Sequence, residues 1–123
     1  MSMLGIGIDA VDIDRFRRAL KRTPSLRSRV FTSDEIATLA NKRDDASSLA
    51  ARFAAREATM KVLGVGLGAF DLHDVSIERL ESGQPLLRVT GRAQLLANER
   101  GITSWHVSLS HTDSVAIAVV AAA

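Results

Sequence analysis

The chain has no cysteine and no tyrosine, two prolines, and only five aromatic residues, four Phe and one Trp, among its 123 positions. Without cysteine there is neither a disulfide framework nor a thiolate nucleophile, which fits a reducing compartment, so the expected location is the cytoplasm. No apolar run approaches the roughly 18 residues of a membrane span, and MSMLGIGIDA lacks the basic start and long apolar stretch of a secretion signal. No membrane association is expected. Three histidines (His73, His106, His111) without a Cys pair or a His-Glu-x-x-His pattern give no zinc site. GIGID and GVGLG lack the dinucleotide fingerprint, and SLS lacks the flanking glycines of a hydrolase nucleophile elbow.

What is present reads as one α+β domain spanning residues 1–123, long enough to bury about two-thirds of the surface of its unfolded chain. LGIGID alternates, with Ile6 and Ile8 on one face and Gly7 and Asp9 on the other, and predicts a strand ending in an acid. Asp12 and Asp14 suit the cap and first turn of a helix that buries Phe16, Ala19 and Leu20 and stops before Thr23-Pro24. TSDEIATLA predicts a short helix capped by Thr32 or Ser33 and running to about Asn41. A long helix follows from about Ala46 to Leu63, with Gly64 as its C-cap. HDVSIERL and PLLRV predict two strands joined by ESGQP, then comes a helix from about Gly91 to Arg100. SWHVSLSH and VAIAVVA form a terminal hairpin, with Trp105, Val107 and Leu109 inward and His106, Ser108 and Ser110 outward.

Charge is unevenly placed. From Arg15 to Arg29 there are seven Lys or Arg and no acid, although the net charge is only +2. On the first helix Arg15, Arg18 and Arg22 share one side and form a ridge. Such a run is either a solvated face or a docking surface for an acidic partner. Phe16, expected in the core, is the only aromatic within it, which disfavours nucleic acid as the partner. On the long helix Glu57 and Lys61 lie beside the apolar stripe of Leu49, Phe53 and Met60, at the spacing of an ion pair worth about 0.2–0.5 kcal/mol. Ala50, Ala54 and Ala58 flank them on the wheel, and small side chains there are expected to leave room for a ligand. Asp9 and Glu57 together suit magnesium, which is commonly held by one or two protein carboxylates completed by substrate phosphates and water. His111 and nearby hydroxyls at the hairpin mouth suit phosphate oxygens.

GIGID, RFAAREATMK and HVSLSH, in that order, with GQP between the last two and the basic helix behind the first, resemble the holo-acyl-carrier-protein synthases, the small 4'-phosphopantetheinyl transferases. The resemblance runs from about Leu4 to Val120. It implies transfer of phosphopantetheine from coenzyme A to a serine of an apo acyl carrier protein, in fatty acid biosynthesis, with release of adenosine 3',5'-bisphosphate. It assigns magnesium to Asp9 and Glu57 and places Lys61 near the transferring phosphate. Arg52 and His111 match positions contacting coenzyme A phosphates, with Lys42, Arg43 and Ser110 as further candidates, and Gly83 and Pro85 lie in a turn beside the nucleotide. Arg15, Arg18, Arg22 and Arg29 match or neighbour residues that meet the carrier. The serine's base is Glu57, Asp9 or a magnesium-bound water, and the carrier is free-standing or a domain of a large synthase. The resemblance also implies an antiparallel sheet on a long central helix, and a homotrimer with active sites between subunits. One departure stands out, since Arg56 occupies the position before Glu57 where the family usually has lysine, and arginine is a planar fork where lysine is a point charge. A non-catalytic adaptor for an acidic helix, the rival reading, would need the ridge but not Asp9, Glu57 and Lys61.

Overall fold

The computed structural model describes residues 2–123. Its centre is α4 (Ala46–Leu63), an 18-residue helix that ends at Gly64 in the left-handed conformation, φ 67°. The Val65 amide closes back on the Met60 carbonyl, the hydrogen bond that ends many helices at glycine. Unlike a surface helix, α4 is covered on nearly every side: Ala50, Ala54, Ala55, Ala58 and Leu63 are inaccessible to solvent.

One side of α4 carries an antiparallel sheet in the order β1 (Gly5–Asp12), β5 (Val115–Ala122), β4 (Trp105–His111). Asp9 pairs with Ala118, which pairs with Leu109, so these three lie on the face turned toward α4. Glycine permits the contact. A Cβ on Gly7 would lie 2.2 Å from the Ala58 carbonyl oxygen, so β1 can rest on the helix backbone only if residue 7 has no side chain. The alternation expected of β1 is present, but Ile6 and Ile8 form the outer face and remain 61% and 57% exposed.

A second sheet, β2 (Val75–Arg79) with β3 (Pro85–Val89), packs beside the first, and Ile77 joins Ala54, Ala55 and Ala118 in one apolar cluster. Around these lie α1 (Ile13–Arg22), α2 (Leu26–Val30), α3 (Ser33–Thr38) and α5 (Gly91–Glu99), with a single 3-10 turn at Leu72–Asp74. Asp12 caps α1 by accepting from the Arg15 amide, and α1 buries Leu20 while Phe16 and Ala19 are half-buried. Neither α2 nor the 3-10 turn was expected, and α3 stops at Thr38, short of Asn41.

A buried ion pair joins four of these pieces. Glu35 closes the capping box of α3 by accepting from the Thr32 amide, and it accepts from the Ile77 amide of β2 at 3.1 Å. The Arg56 guanidinium of α4 donates to both Glu35 oxygens, at 2.5 and 3.1 Å. Arg56 also donates to the Leu72 carbonyl and lies over the Phe31 ring. Burial pushes the Glu35 carboxyl up, but the Arg56 hydrogen bond and charge and the two backbone amides outweigh it and hold it below its ordinary value. Glu35→Gln strips charge from a buried pair and leaves Arg56 uncompensated, which should lower the unfolding free energy in urea at pH 7 by about 3–5 kcal/mol. Because the folded value is the depressed one, the native contribution is complete above about pH 4.3 and is lost as pH falls through the folded value. Stability measured as a function of pH should therefore fall more steeply in acid for the native chain than for the variant, and parallel curves would refute the assignment.

Candidate active site

β1 and α4, locked together at Gly7, bring Asp9 and Glu57 to one groove of about 420 Å³. Its lining includes Asp12, Arg15 and Phe16 from the start of α1 and Phe53 from α4. Phe16 and Phe53 have ring centroids 5.5 Å apart and give the groove an apolar wall. Phe53 stands one helical turn before Glu57 on the same side of α4, so the apolar stripe and the carboxylate are neighbours.

Lys61 does not form the ion pair with Glu57 that their spacing allows as the plainer alternative to ligand binding. Its ammonium donates to the Ile8 carbonyl at 2.7 Å and to Asp9 at 3.3 Å, tying to α4 the middle of β1, which runs on through Asp9 to Asp12 instead of ending at the first acid. Among the described residues Glu57 has no ion-pair partner. Burial and the neighbouring Asp9 charge raise its pKa against a smaller opposing effect of Lys61. Two carboxylates facing one space, one of them desolvated and repelled by the other, are suited to a divalent cation that would relieve both costs. No cluster of three or more metal-ligating side chains exists among the described residues. A cation held by Asp9 and Glu57 therefore keeps coordination positions for oxygens from outside the chain.

The space at this site does not come from the alanine stripe of α4. Ala50, Ala54 and Ala58 are fully buried, and their small side chains admit the strands rather than a ligand. A helical wheel shows which residues share a face but not which neighbour covers it.

The other residues singled out from the sequence are scattered over this chain. Arg52 is buried beside Glu35, with its Nε 4.0 Å from the carboxylate and no hydrogen-bond partner, while its guanidinium donates to the Ser48 carbonyl. Contact with a phosphate would require that guanidinium to leave its place behind α3. Lys42 and Arg43 are exposed in the turn between α3 and α4. Gly83, with φ 88°, occupies the β2–β3 turn, where its carbonyl accepts from Arg79, and Pro85 opens β3. Ser110 and His111 are exposed at the end of β4, and as successive strand residues they point to opposite sides of the sheet. Arg15, Arg18, Arg22 and Arg29 are exposed, and Arg15 also lines the groove. Two roles escaped the sequence, those of Glu35 and Arg56. The capping-box spacing of Thr32 and Glu35 gave a signal for one end of the pair, while nothing local marked Arg56 as its partner 21 positions away.

Comparison with known proteins identifies the family. Residues 5–120 match the 4'-phosphopantetheinyl transferase superfamily. A holo-[acyl-carrier-protein] synthase of Streptomyces avermitilis is 49% identical over 99% of this chain and 98% of its own. The Moorella thermoacetica synthase is 46% identical over 95% and 91%. Among solved structures, the synthase of Neisseria meningitidis superposes with a TM-score of 0.89 at 28% identity over 99% of both chains. That of Helicobacter pylori, in complex with coenzyme A, gives 0.83 at 32% identity over 96% of this chain and 99% of its own. With its fold, its converging carboxylates and its full-length matches in agreement, the chain belongs to the 4'-phosphopantetheinyl transferase superfamily, in its holo-[acyl-carrier-protein] synthase family of transferases.

Proposed function

We propose that this chain transfers 4'-phosphopantetheine from coenzyme A to a serine of an apo acyl carrier protein in a magnesium-dependent reaction that serves fatty acid biosynthesis in the cytoplasm. The observation that carries the reading is the pair Asp9 and Glu57 facing one groove without a third ligand, in a chain so similar to holo-[acyl-carrier-protein] synthases over its whole length. The solved structure of the Helicobacter pylori synthase in complex with coenzyme A supports coenzyme A as the donor.

In this reading Asp9 and Glu57 hold the cation. Bound there, magnesium supplies charge that offsets the diphosphate and the negative charge developing on the leaving group. Lys61 fixes Asp9 through its hydrogen bonds to β1 and lies beside the groove as a further positive charge for the transferred phosphoryl group. Phe16 and Phe53 exclude water from one wall and so strengthen these electrostatic interactions. The serine oxygen forms a bond to the phosphorus of the pantetheine arm as the bond from that phosphorus to the bridging oxygen breaks, releasing adenosine 3',5'-bisphosphate. The serine proton is taken up within the groove by Glu57, Asp9 or water, the acceptors within reach there. Lys42, Arg43, His111 and Ser110 contact the coenzyme A phosphates, with the Gly83–Pro85 turn beside the nucleotide. Arg52 joins them if its guanidinium swings out.

As the resemblance to the holo-acyl-carrier-protein synthases implies, the reading places each active site between two copies in a homotrimer. The exposed Ile6 and Ile8 on the outer face of β1, beside Val119 and Ala121 of β5, give such an assembly an apolar surface to cover.

Intact-mass spectrometry of an apo acyl carrier protein incubated with the chain, coenzyme A and magnesium should record the gain of one phosphopantetheine, abolished by a chelator. Glu57→Gln should reduce the rate by about a hundred-fold or more. It should also raise the melting temperature without divalent cations by about 2–4 °C, since it removes a charge that burial and Asp9 disfavour. No mass gain from a folded protein would overturn the proposal in favour of an adaptor. The ridge gives a separate test. Arg18→Glu with Arg22→Glu, which spares the groove-lining Arg15, should raise the KM for the carrier about ten-fold or more and leave that for coenzyme A within about two-fold. Equal effects on both would remove the ridge from carrier docking.

A further inference from the structure

The seven basic residues between Arg15 and Arg29 do not form one surface. Arg15, Arg18 and Arg22 face solvent on one side of α1, whereas Arg17 turns to the other side, toward the turn between α3 and α4. There it pairs with Asp44 at 2.8 Å while holding Asp14 of its own helix. Arg27 of α2 pairs with Asp45, the next residue of the same turn. Asp44 does a second job, accepting from the Ala46 amide at the start of α4. That amide first, and Arg17 second, hold its carboxyl below the ordinary value. A depression of about 310 Å³ lies among these groups, lined by Arg17, Lys21 and Arg27 on one side and by Arg43, Asp44 and Asp45 on the other.

The same four-residue turn, Lys42 to Asp45, thus carries two cations with no ion-pair partner among the described residues, followed by two anions already engaged by α1 and α2. We infer that Asp44 and Asp45 are positioning residues that clamp the turn to the basic helices and so hold Lys42 and Arg43 in place for the phosphates of coenzyme A. Arg17 and Arg27 then belong to the nucleotide side of the reaction, although they sit within the basic run that meets the carrier. This inference rests on the proposed phosphate role of Lys42 and Arg43. Without the clamp the turn has backbone hydrogen bonds at its two ends, from Lys42 to Leu39 and from Leu49 to Asp45, and the cations between them lose their fixed direction.

The test is a charge exchange at the pair that carries no capping bond. Arg27→Asp and Asp45→Arg, made singly in the full chain, should each raise the KM for coenzyme A about five-fold, as expected for losing a surface ion-pair network. Within the same experiment kcat and the KM for the carrier should stay within about two-fold. The double exchange should bring the coenzyme A KM back to within about two-fold of the native value, a rescue that loss of packing alone does not give. A rise confined to the carrier KM, or no rescue by the exchange, would overturn the clamp. Lys42→Ala with Arg43→Ala separates the two levels. If that pair leaves the coenzyme A KM unchanged, the phosphate assignment itself fails and the clamp with it. If it raises the KM while the clamp variants do not, the clamp alone fails.

Discussion

The architecture depends on the contact of β1 with the backbone of α4. Strands usually meet helices through side chains that keep the two backbones about 10 Å apart. Here Gly7 removes the strand's side chain and Ala58 contributes a carbonyl that no Cβ could approach. Asp9, two residues further along the same strand face, reaches the groove that Glu57 lines, and the Lys61 ammonium bonds to the Ile8 carbonyl. The distance between a strand acid and a helix acid is thus set by a glycine. Cation chemistry of this kind needs two carboxylates whose repulsion is maintained by the fold rather than relaxed by it.

Helix α4 serves two regions of the molecule. Glu57 lines the groove and Lys61 binds β1 beside it, while Arg52 and Arg56 face α3 and β2 and are buried. Since successive helical residues point about 100° apart, one arginine bound on four sides also fixes the rotation of the carboxylate beside it. The arginine fork at position 56 is used by two carboxylate oxygens, two carbonyls and an aromatic face, which a lysine at that position does not match.

Local features were legible from the sequence. The ends of α4, the Asp12 cap, the Thr32 cap and the terminal hairpin each depend on neighbours within a few residues, where propensity and capping chemistry act. Asp9, Glu57 and Lys61 were legible as a group through their resemblance to a family, and the structure adds that Lys61 holds Asp9 rather than Glu57. What could not be read were relations between distant parts. Alternation gave the two faces of β1 but not which one was buried, because a stripe of isoleucine signals burial whether the covering surface belongs to the same chain or to another. The Ala50, Ala54 and Ala58 stripe was misread for the same reason. The five-residue α2 follows Pro24 and has no side-chain cap, so it left no signature.

Glu35 ties the first turn of α3, the edge of β2 and the middle of α4 to a single carboxylate. Such a shared anchor makes these elements one cooperative unit. Opening α3 alone would expose a bound guanidinium and release a strand amide, so local fraying there costs nearly as much as larger unfolding. The short helix, which by its length should be among the most transient parts of the chain, is thereby fastened to the core it caps.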